Sequence, residues 1–288
     1  MAPPSPTVAK WELFSRLRLR QHELDLNGTA IAKKLGVAPN YWYRVERDRM
    51  ILAEDRLIAL LELLEIDGGE REQILKLRTL AKGRGWWDEY ANVFNAEESR
   101  LWGLEFGAEE ISSFESLLIP GLLQTEDYAR HLISGDQVIV RRPEVRRRVQ
   151  ARMKRQERIG NDPVRLNVVI SEAALHQQIG GPDVLRAQLE HLVEVINDHD
   201  TIDVLVLPFS STTGPTLGGA AFHILDFPGD RTPPVGWHES AVVAEVIEDS
   251  GKIETLAAAF GSAAQASLSR EGSLARIQDV IRTIGSTS

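Results

Sequence analysis

The sequence predicts an α+β protein, with an all-α N-terminal domain of five helices and a mixed α+β C-terminal domain. The 288 residues are enough for about two ordinary domains. Apolar residues recur at helical spacing over residues 11–81, whereas short runs rich in branched residues alternate with helical segments after residue 83. The composition, with 43% hydrophobic and 26% charged residues, is that of a globular protein and excludes wholesale disorder.

The N-terminal domain is expected to cover residues 10–82. The nine residues before it are rich in proline, and we expect residues 1–9 to form a disordered leader. Within the domain, Gly36 is suited to a left-handed helix cap, and Pro39 opens the next helix. The five helices are expected at residues 11–24, at 29–35, from 39 onward, at 53–64 and at 70–81.

The segment Lys82-Gly83-Arg84-Gly85 predicts the domain boundary, because the pattern changes after it. The C-terminal domain is therefore expected to cover residues 83–288. Strands are predicted at residues 165–170, 202–208, 222–227 and 241–246. Helices are predicted at residues 126–132, 143–159, 182–197, 252–268 and 274–284.

The composition also excludes several classes of protein. No apolar run approaches the ~20 residues needed to cross a bilayer, and residues 1–6 lack the order of a signal peptide. The absence of cysteine excludes disulfides, thiolate nucleophiles and zinc fingers, and it favours a reducing compartment. We therefore expect a cytoplasmic protein that makes no membrane contact.

The net charge of −9 is unevenly distributed along the chain. Residues 1–82 hold 14 basic and 12 acidic side chains, whereas the remainder holds 19 basic and 30 acidic ones. The overall acidity argues against a protein that coats nucleic acid over its whole surface. The asymmetry suits a protein that touches DNA at one end only.

A helix–glycine–helix pattern at residues 29–47 has the form that places a helix in the major groove of DNA. The buried face is expected to include Leu17, Ile31, Leu35, Val37, Trp42 and Val45. The outer face of the third helix then presents the residues expected to read bases, which are Asn40, Tyr41 and Arg44. Phosphate contacts are expected from Thr29, Lys33, Tyr43, Arg47 and Arg49. On the pattern alone, a bundle that only packs, or that binds protein, is an equal alternative.

A longer motif in the same region adds to this pattern. It reads Ile31-Ala32-Lys33-Lys34-Leu35-Gly36-Val37-Ala38-Pro39, followed by Arg44-Val45-Glu46-Arg47. Residues 11–67 thereby resemble the lambda-repressor-type (XRE, Cro/C1-like) helix-turn-helix family, and the resemblance implies double-stranded DNA as a partner. Gly28 stands where that family usually has a phosphate-contacting glutamine, and Asp48 replaces its common glycine.

Several segments of the C-terminal domain resemble one further family. They are residues 84–90, 118–129, 170–175 and 206–209, with Gly180-Gly181 closing the third. Together they resemble the domain that follows the helix-turn-helix in actinobacterial WhiJ-type, antitoxin-like regulators. This resemblance implies a transcription factor that is often encoded beside a small partner protein.

Motifs for catalysis, for cofactors and for metals are missing. Glu172 and His176 are four residues apart, and His238 is adjacent to Glu239, but no two histidines have the zinc spacing His-Glu-x-x-His. The sequence also has no Gly-x-Ser-x-Gly elbow and no phosphate loop. We therefore expect no enzyme, no cofactor and no metal site.

Two clusters have alternative interpretations. Trp86 and Trp87 either line a ligand pocket or, as we favour, seal the junction between the domains. The basic helix 141–158 is expected to present a solvated face with internal pairing to Glu144 and Glu157. The alternatives are a second DNA contact or a dock for an acidic partner. If a ligand or partner binds there, the candidates are Trp86, Trp87, Arg147, Arg148, Arg152 and Arg155.

These observations predict a sequence-specific DNA-binding transcriptional regulator. A homodimer is expected, because a single recognition helix buries too little surface for specific affinity. The C-terminal domain is expected to receive a small-molecule effector, a small partner protein encoded nearby or a second subunit. The alternative is an antitoxin-like protein that acts mainly by binding a small partner protein.

Overall fold

A computed structural model describes residues 2–46, 50–136, 140–161, 164–212, 221–240 and 243–284. Five helices come first along the chain, and a six-stranded sheet with further helices follows. The predicted α+β fold class is confirmed.

The N-terminal domain contains the five expected helices. They are α1 (Pro6–Glu23), α2 (Gly28–Lys34), α3 (Pro39–Glu46), α4 (Glu54–Leu63) and α5 (Gly68–Ala81). All five contribute to one apolar core, in which Ile31, Leu61 and Ile74 are fully buried.

The prediction of a disordered leader is wrong for residues 5–9. Helix α1 begins at Pro6, and its N-cap Ser5 is 3% exposed. The Ser5 hydroxyl accepts a hydrogen bond from the Val8 amide and donates one of 2.5 Å to the Gly103 carbonyl. Proline at the first helical position is well tolerated, so a proline-rich start here begins a helix that is fixed by a contact 98 residues away.

Three helices of the N-terminal domain end in the same way, with a left-handed residue after the helix. Those residues are Asp25 (φ 49°), Gly36 (φ 61°) and Glu65 (φ 55°). After α2, the Gly36 amide donates to the Lys33 carbonyl and the Val37 amide to the Ala32 carbonyl. These are the two hydrogen bonds of a Schellman motif, as the glycine predicted.

The C-terminal domain has a mixed sheet in the order β3-β2-β1-β4-β5-β6. Strands β1, β2 and β3 are parallel to one another. Strands β4, β5 and β6 follow on the other side of β1, and each is antiparallel to the strand before it in the sheet. In chain order the elements are α6 (Ala96–Gly107), β1 (Glu110–Glu115), α7 (Glu126–Gly135), α8 (Val145–Asn161), β2 (Arg165–Ser171), α9 (Pro182–Asp198), β3 (Ile202–Leu207), β4 (Phe222–Asp226), β5 (Val235–Glu239), β6 (Ala244–Ile247), α10 (Ser250–Ala266) and α11 (Arg270–Thr283).

Five of these helices and three strands lie where the sequence predicts them. The strand predicted at 241–246 is β6, which begins at Ala244, and residues 241 and 242 lie outside the described residues. Helix α6 and strands β1 and β5 were not predicted. Both strands are short and carry polar residues or glycine between their apolar positions, so neither has the run of branched residues that indicates a strand.

Alternate residues of the strands point into two different cores. In β2, Leu166, Val168 and Ile170 enter the larger core, which α6 to α9 and α11 cover. Val169 points to the opposite face, where α10 packs through Ile253 and Ala263. This alternation is the period of two expected for a strand that is covered on both faces.

The N-terminal domain packs on the C-terminal domain through α1 and α6. A Cβ atom on Gly103 would lie 2.0 Å from the Thr7 hydroxyl oxygen, and one on Gly107 would lie 2.6 Å from a Val8 methyl carbon. Only glycine therefore permits this approach of the two helices. Further along α1, the Trp11 indole nitrogen donates to the Pro233 carbonyl at 2.9 Å.

We predict that substitution by alanine has opposite effects on the free energy of unfolding at Gly36 and at Gly261. A Cβ atom would meet no neighbouring atom at either position. Gly36→Ala should lower the free energy of unfolding by about 1 kcal/mol, because alanine resists the positive φ of 61°. Gly261→Ala, in the middle of α10, should raise it by roughly 0.5–1 kcal/mol through helix propensity. Urea unfolding followed by circular dichroism measures both, and the same sign at both sites would contradict the turn geometry.

Candidate functional site

Helices α2 and α3 form a helix-turn-helix. The Asn27 side chain caps α2 by accepting from the Ala30 amide at 2.9 Å. At the other end of α2, the Arg56 guanidinium donates to the Leu35 carbonyl at 2.5 Å. Both ends of this short helix are therefore held, and the Gly36 turn fixes where α3 begins.

Helix α3 has one face in the core and one face in solvent. Trp42 and Val45 are 5% and 2% exposed and anchor the helix, as predicted. Asn40 and Arg44 are exposed on the other side. The expected outer position of Tyr41 is wrong, because its ring is half-buried and packs against the core of the N-terminal domain.

The predicted phosphate contacts lie beside α3 where the structure describes them. Thr29 and Lys33 on α2 are exposed, and Tyr43 is 46% exposed. Lys34 is also exposed, next to Lys33, although sequence reasoning did not select it. Arg47 and Arg49 lie outside the described residues.

Gly28 departs from the usual helix-turn-helix pattern for a steric reason. A Cβ atom at this position would lie 2.3 Å from a carboxylate oxygen of Glu46 and 2.9 Å from the Trp42 indole nitrogen. The Glu46 carboxylate thus lies against the first turn of α2. A longer side chain at position 28 has no room unless Glu46 moves.

Trp86 and Trp87 lie in a short 3-10 helix that follows the domain boundary. Trp87 is 4% exposed and packs against Phe106, with ring centroids 5.6 Å apart. Trp86 stacks on Trp102 at 5.5 Å. The cavity beside Trp86 has a volume of about 10 Å³, which is room for about one water molecule. Both ring contacts are with α6 of the C-terminal domain. Trp87 also lines a wider cleft of about 940 Å³, which it shares with Trp11 and Arg18 of α1. The junction and ligand-pocket interpretations therefore both stay predictions.

The solvated face expected for the basic helix is confirmed only in part. Arg141 and Lys154 pair with Glu144 and Glu157 as expected, whereas other arginines of α8 turn inward. Four guanidinium groups lie over four aromatic rings, at 4.6–5.9 Å from the ring centroids. The pairs are Arg147 with Tyr90, Arg148 with Phe94, Arg155 with Trp102 and Arg158 with Phe106. Cations over ring faces are attracted by the quadrupole of the ring.

Hydrogen bonds explain why these arginines turn inward. Arg147 and Arg148 donate to the carbonyls of Glu89 and Val93 at 2.8 and 2.7 Å. Arg155 makes a two-pronged ion pair with Glu105, with distances of 2.9 and 2.6 Å. Arg152 donates to the Gln124 side chain at 2.7 Å. The four arginines named as candidates for a ligand or partner therefore join α8 to its own domain.

We predict that Arg155→Met destabilises the protein by about 3 kcal/mol, because it leaves the Glu105 carboxylate, which is only 12% exposed, without its cation. The double variant Arg155→Met/Glu105→Leu should recover most of that loss. Urea unfolding measures both variants. If Arg155→Met left stability unchanged but weakened DNA binding, α8 would be a DNA contact after all.

A cluster of titratable side chains lies at the end of β1, on the face that α8 covers. Glu115 is 8% exposed, and its carboxylate is 3.5 Å from the Ser113 hydroxyl and 3.8 Å from the His223 ring. Burial, and then the charge of Glu239, raise the pKa of Glu115 to about 8. Burial lowers the pKa of His223 to about 4. Sequence reasoning missed this cluster, because nothing local distinguishes it.

These two shifts act in opposite directions on stability. Below pH 6.5, the lowered pKa of His223 makes stability rise with pH. This rise offsets the fall in stability with pH that the raised pKa of Glu115 causes. Between pH 6.5 and 8 Glu115 acts alone, because its folded form keeps a proton that the unfolded form has lost. We predict a loss of about 2 kcal/mol over that range.

Urea unfolding at pH 6.5, 7.2 and 8 checks this prediction. In Glu115→Gln the decline between pH 6.5 and 8 should disappear, because the amide does not titrate. A decline of equal size in this variant would assign the effect to another group.

Of the two residue pairs considered for catalysis, Glu172 and His176 lie close together in the structure. The buried Glu172 carboxylate pairs with Arg276 and accepts from the Phe209 amide at 2.7 Å. His176 lies 3.9 Å from the same carboxylate. Within the described part of the chain, no group of three His, Asp or Glu side chains is placed to hold a metal ion. None of the helices described there is long and apolar enough to cross a membrane.

The fold and the exposed helix α3 define a helix-turn-helix protein that binds DNA and regulates transcription. Residues 12–74 match the model of a helix-turn-helix domain. Residues 99–279 match the model described as a domain of unknown function, DUF5753. Because this match covers more than half of the chain, the chain belongs to the DUF5753 family. Neither the curated proteins nor the solved structures contain a match to the chain.

Proposed function

We propose that the protein is a sequence-specific transcriptional regulator of the lambda-repressor (XRE) type that reads the major groove with α3. The observation that carries this proposal is the division of α3 into two faces. Trp42 and Val45 fix the helix to the core, while Asn40 and Arg44 remain exposed. Asparagine pairs with adenine and arginine with guanine through two hydrogen bonds each.

The surroundings of α3 support the same orientation on DNA. Lys33 and Lys34 end helix α2 with two exposed positive charges, and Thr29 is exposed at its start. A helix that crosses the phosphate backbone before the recognition helix carries such residues. In this proposal α2 positions the domain, and α3 reads the sequence.

We propose that the regulator binds DNA as a homodimer. Helix α3 has eight residues, and only its exposed positions can face base edges. One such helix buries too little surface for specific affinity, whereas two copies on paired half-sites bury enough. Light scattering of the complex should therefore give twice the chain mass of 32.1 kDa plus the mass of one operator duplex.

The C-terminal domain is proposed to be a non-catalytic, WhiJ-type domain that receives a signal. Its support is the contact with the N-terminal domain, since Trp11 of α1 is bound by the Pro233 carbonyl. A small molecule or a small partner protein bound to this domain would act on the orientation of the reading helix.

The antitoxin-like alternative has one observation in its favour. Leu117 and Phe209 follow β1 and β3, and they are 58% and 66% exposed. Exposed large apolar side chains are frequent where proteins bind each other. A stoichiometric partner that purifies with the protein, together with absent DNA affinity, would favour this alternative.

The proposal predicts different effects for Arg44→Ala and Lys33→Ala. Arg44→Ala should reduce the preference for the operator over random DNA by roughly 5- to 150-fold, because a base contact is lost. Lys33→Ala should weaken binding to all sequences alike and reduce the salt slope by about one. Fluorescence anisotropy across a salt series measures both, on duplexes selected from a random pool and from upstream of its own gene.

Lys252→Ala is the matched control, because Lys252 is an exposed lysine on α10 in the C-terminal domain. It should change neither affinity nor preference. Equal loss of preference in the Arg44 and Lys33 variants would refute the division of roles between α2 and α3. If selection from the random pool yields no preferred duplex, the proposal that the protein is a sequence-specific regulator is refuted.

A further inference from the structure

The cleft of about 940 Å³ beside Trp87 lies between the two domains, and we call it the interdomain cleft. Helix α1 forms one wall of it, through Lys10, Trp11 and Arg18. The first turns of α6, together with Glu248 after β6, form the other wall. Its volume lies near the upper end of the range of roughly 300–1,000 Å³ for sites that bind small molecules. A molecule larger than a single amino acid therefore has room in it.

Contacts around the interdomain cleft hold its walls in place. The Trp11 indole nitrogen donates to the Pro233 carbonyl at 2.9 Å, which ties α1 to the C-terminal domain. On the other wall, Arg100 of α6 pairs with Glu248. The cleft is therefore formed before a ligand arrives, and little binding energy is lost in ordering its walls.

Charges of opposite sign line the two walls. On α1, Lys10 and Arg18 are cations, and the Arg18 guanidinium carbon lies 5.2 Å from the centre of the Trp11 ring. The linker and the C-terminal domain contribute three carboxylates, those of Asp88, Glu97 and Glu248. Such an arrangement favours a molecule that carries both a negative and a positive group, because each group then meets its opposite.

The molecule that fits these walls is a short peptide with free termini. Its carboxylate suits Lys10 and Arg18, because ammonium and guanidinium groups form strong hydrogen bonds to carboxylates. Its terminal ammonium group suits Glu97, which is exposed in the first turn of α6. Between its ends, small apolar side chains suit the rings of Trp11 and Trp87, which line the same space.

We propose that the interdomain cleft binds a short zwitterionic peptide and that this peptide is the signal the protein receives. The peptide carboxylate pairs with the cations of α1, and the ammonium group pairs with the carboxylates of the other wall. The inference rests on the proposed signal-receiving role of the C-terminal domain. It names the site and the chemical class of the signal.

The interdomain cleft also reaches the helix that is proposed to read DNA. Glu46, the last residue of α3, lines the cleft together with Arg18. The Glu46 carboxylate lies against the first turn of α2, where a Cβ atom on Gly28 would collide with it. A peptide carboxylate beside Arg18 repels the Glu46 carboxylate, because the two groups have the same charge. Binding thereby acts on the contact between α2 and α3 themselves.

Trialanine is the probe for this proposal, and three capped forms of the same peptide are its controls. N-acetyl-trialanine lacks the ammonium group, trialanine amide lacks the carboxylate, and N-acetyl-trialanine amide lacks both. The readout is the indole N–H resonance of Trp11 in ¹⁵N-labelled protein, assigned by its loss in Trp11→Phe. We expect a saturable shift with a Kd on the order of 1 mM for trialanine. Each singly capped peptide should bind about fivefold more weakly.

Two variants show which end of the peptide meets which wall. Glu97→Gln should weaken trialanine about fivefold but should not affect N-acetyl-trialanine, which has no ammonium group. Lys10→Gln should likewise weaken trialanine and leave trialanine amide unaffected. Glu190→Gln on α9 and Lys154→Gln on α8 are the matched controls, because both residues are exposed and neither lines the cleft. Both should leave every Kd unchanged.

A third variant tests whether the peptide occupies the cleft. Ala96 is the first residue of α6, and it is exposed and lines the cleft. Ala96→Trp should fill the space and abolish the saturable shift. Urea unfolding should give this variant about the native stability, since an exposed position has room for the larger side chain.

The effect on DNA is measured by anisotropy with the selected operator. Saturating trialanine should lower the Kd for the operator about fivefold, because displacing Glu46 removes a negative charge from the surface that faces the phosphates. In Glu46→Gln the peptide should no longer change the Kd for the operator. An unchanged operator Kd in the native protein would refute the role of the peptide as a signal.

Three results would overturn the peptide site itself. They are no saturable shift in the native protein, equal binding of the doubly capped peptide and an unchanged Kd in Ala96→Trp. The proposed function fails separately, because the peptide is titrated without DNA. Specific DNA binding without peptide binding would refute this site alone. Peptide binding without specific DNA binding would refute the regulator and leave the site standing.

Discussion

The close packing of α1 against α6 is the contact on which the arrangement of the whole molecule depends. Gly103 and Gly107 lie one helical turn apart and leave room for Thr7, Val8 and Ser5 to approach the backbone of α6. Helix α1 consequently belongs to two cores at once. Its Leu13 and Leu17 are buried in the N-terminal domain, whereas Trp11 is buried in the larger core of the C-terminal domain. A single helix therefore joins the core that holds α3 to the C-terminal domain, and the linker after α5 does not have to fix the orientation of the two domains.

A second contact between the domains is made by the turn between β4 and β5. The β4–β5 turn binds α1 through Pro233 and α5 through Arg231, on helices that pack against each other in the N-terminal domain. A shift of this hairpin would act on α1 and α5 together. Because α2 and α3 pack on the same core, the shift would reach the exposed face of α3 as a rotation of the whole domain. In the proposed homodimer, such a rotation would change how the two copies fit paired half-sites.

Local patterns predicted most of the helices, including α3. Apolar spacing, the Gly36 turn and Pro39 at the start of α3 all determine structure within one or two helical turns of their own positions. The exposed Asn40 and Arg44 and the buried Trp42 follow from that spacing alone. What the sequence did not predict depends on contacts between distant residues. Ser5 is ordered by Gly103, the arginines of α8 are turned inward by aromatic rings more than 40 residues away, and Glu115 meets His223 only through the pairing of β1 with β4. A basic amphipathic stretch has the same pattern whether its charges meet water or π faces, so sequence periodicity could not distinguish the two.

The Glu46–Gly28 contact shows how the N-terminal domain differs from the common helix-turn-helix pattern. The start of a helix attracts anions, and in this protein a carboxylate of α3 lies against the first turn of α2. In the proposed complex with DNA, that carboxylate would repel a phosphate from the same place, so attraction to the DNA backbone would fall to exposed cations such as Lys33 and Lys34. Fewer phosphate contacts make non-specific affinity weaker and less dependent on salt. In the proposed homodimer, base contacts from α3 and the pairing of two copies would then supply a larger share of the binding energy. Occupancy of an operator would accordingly depend more on how the C-terminal domain orients α3.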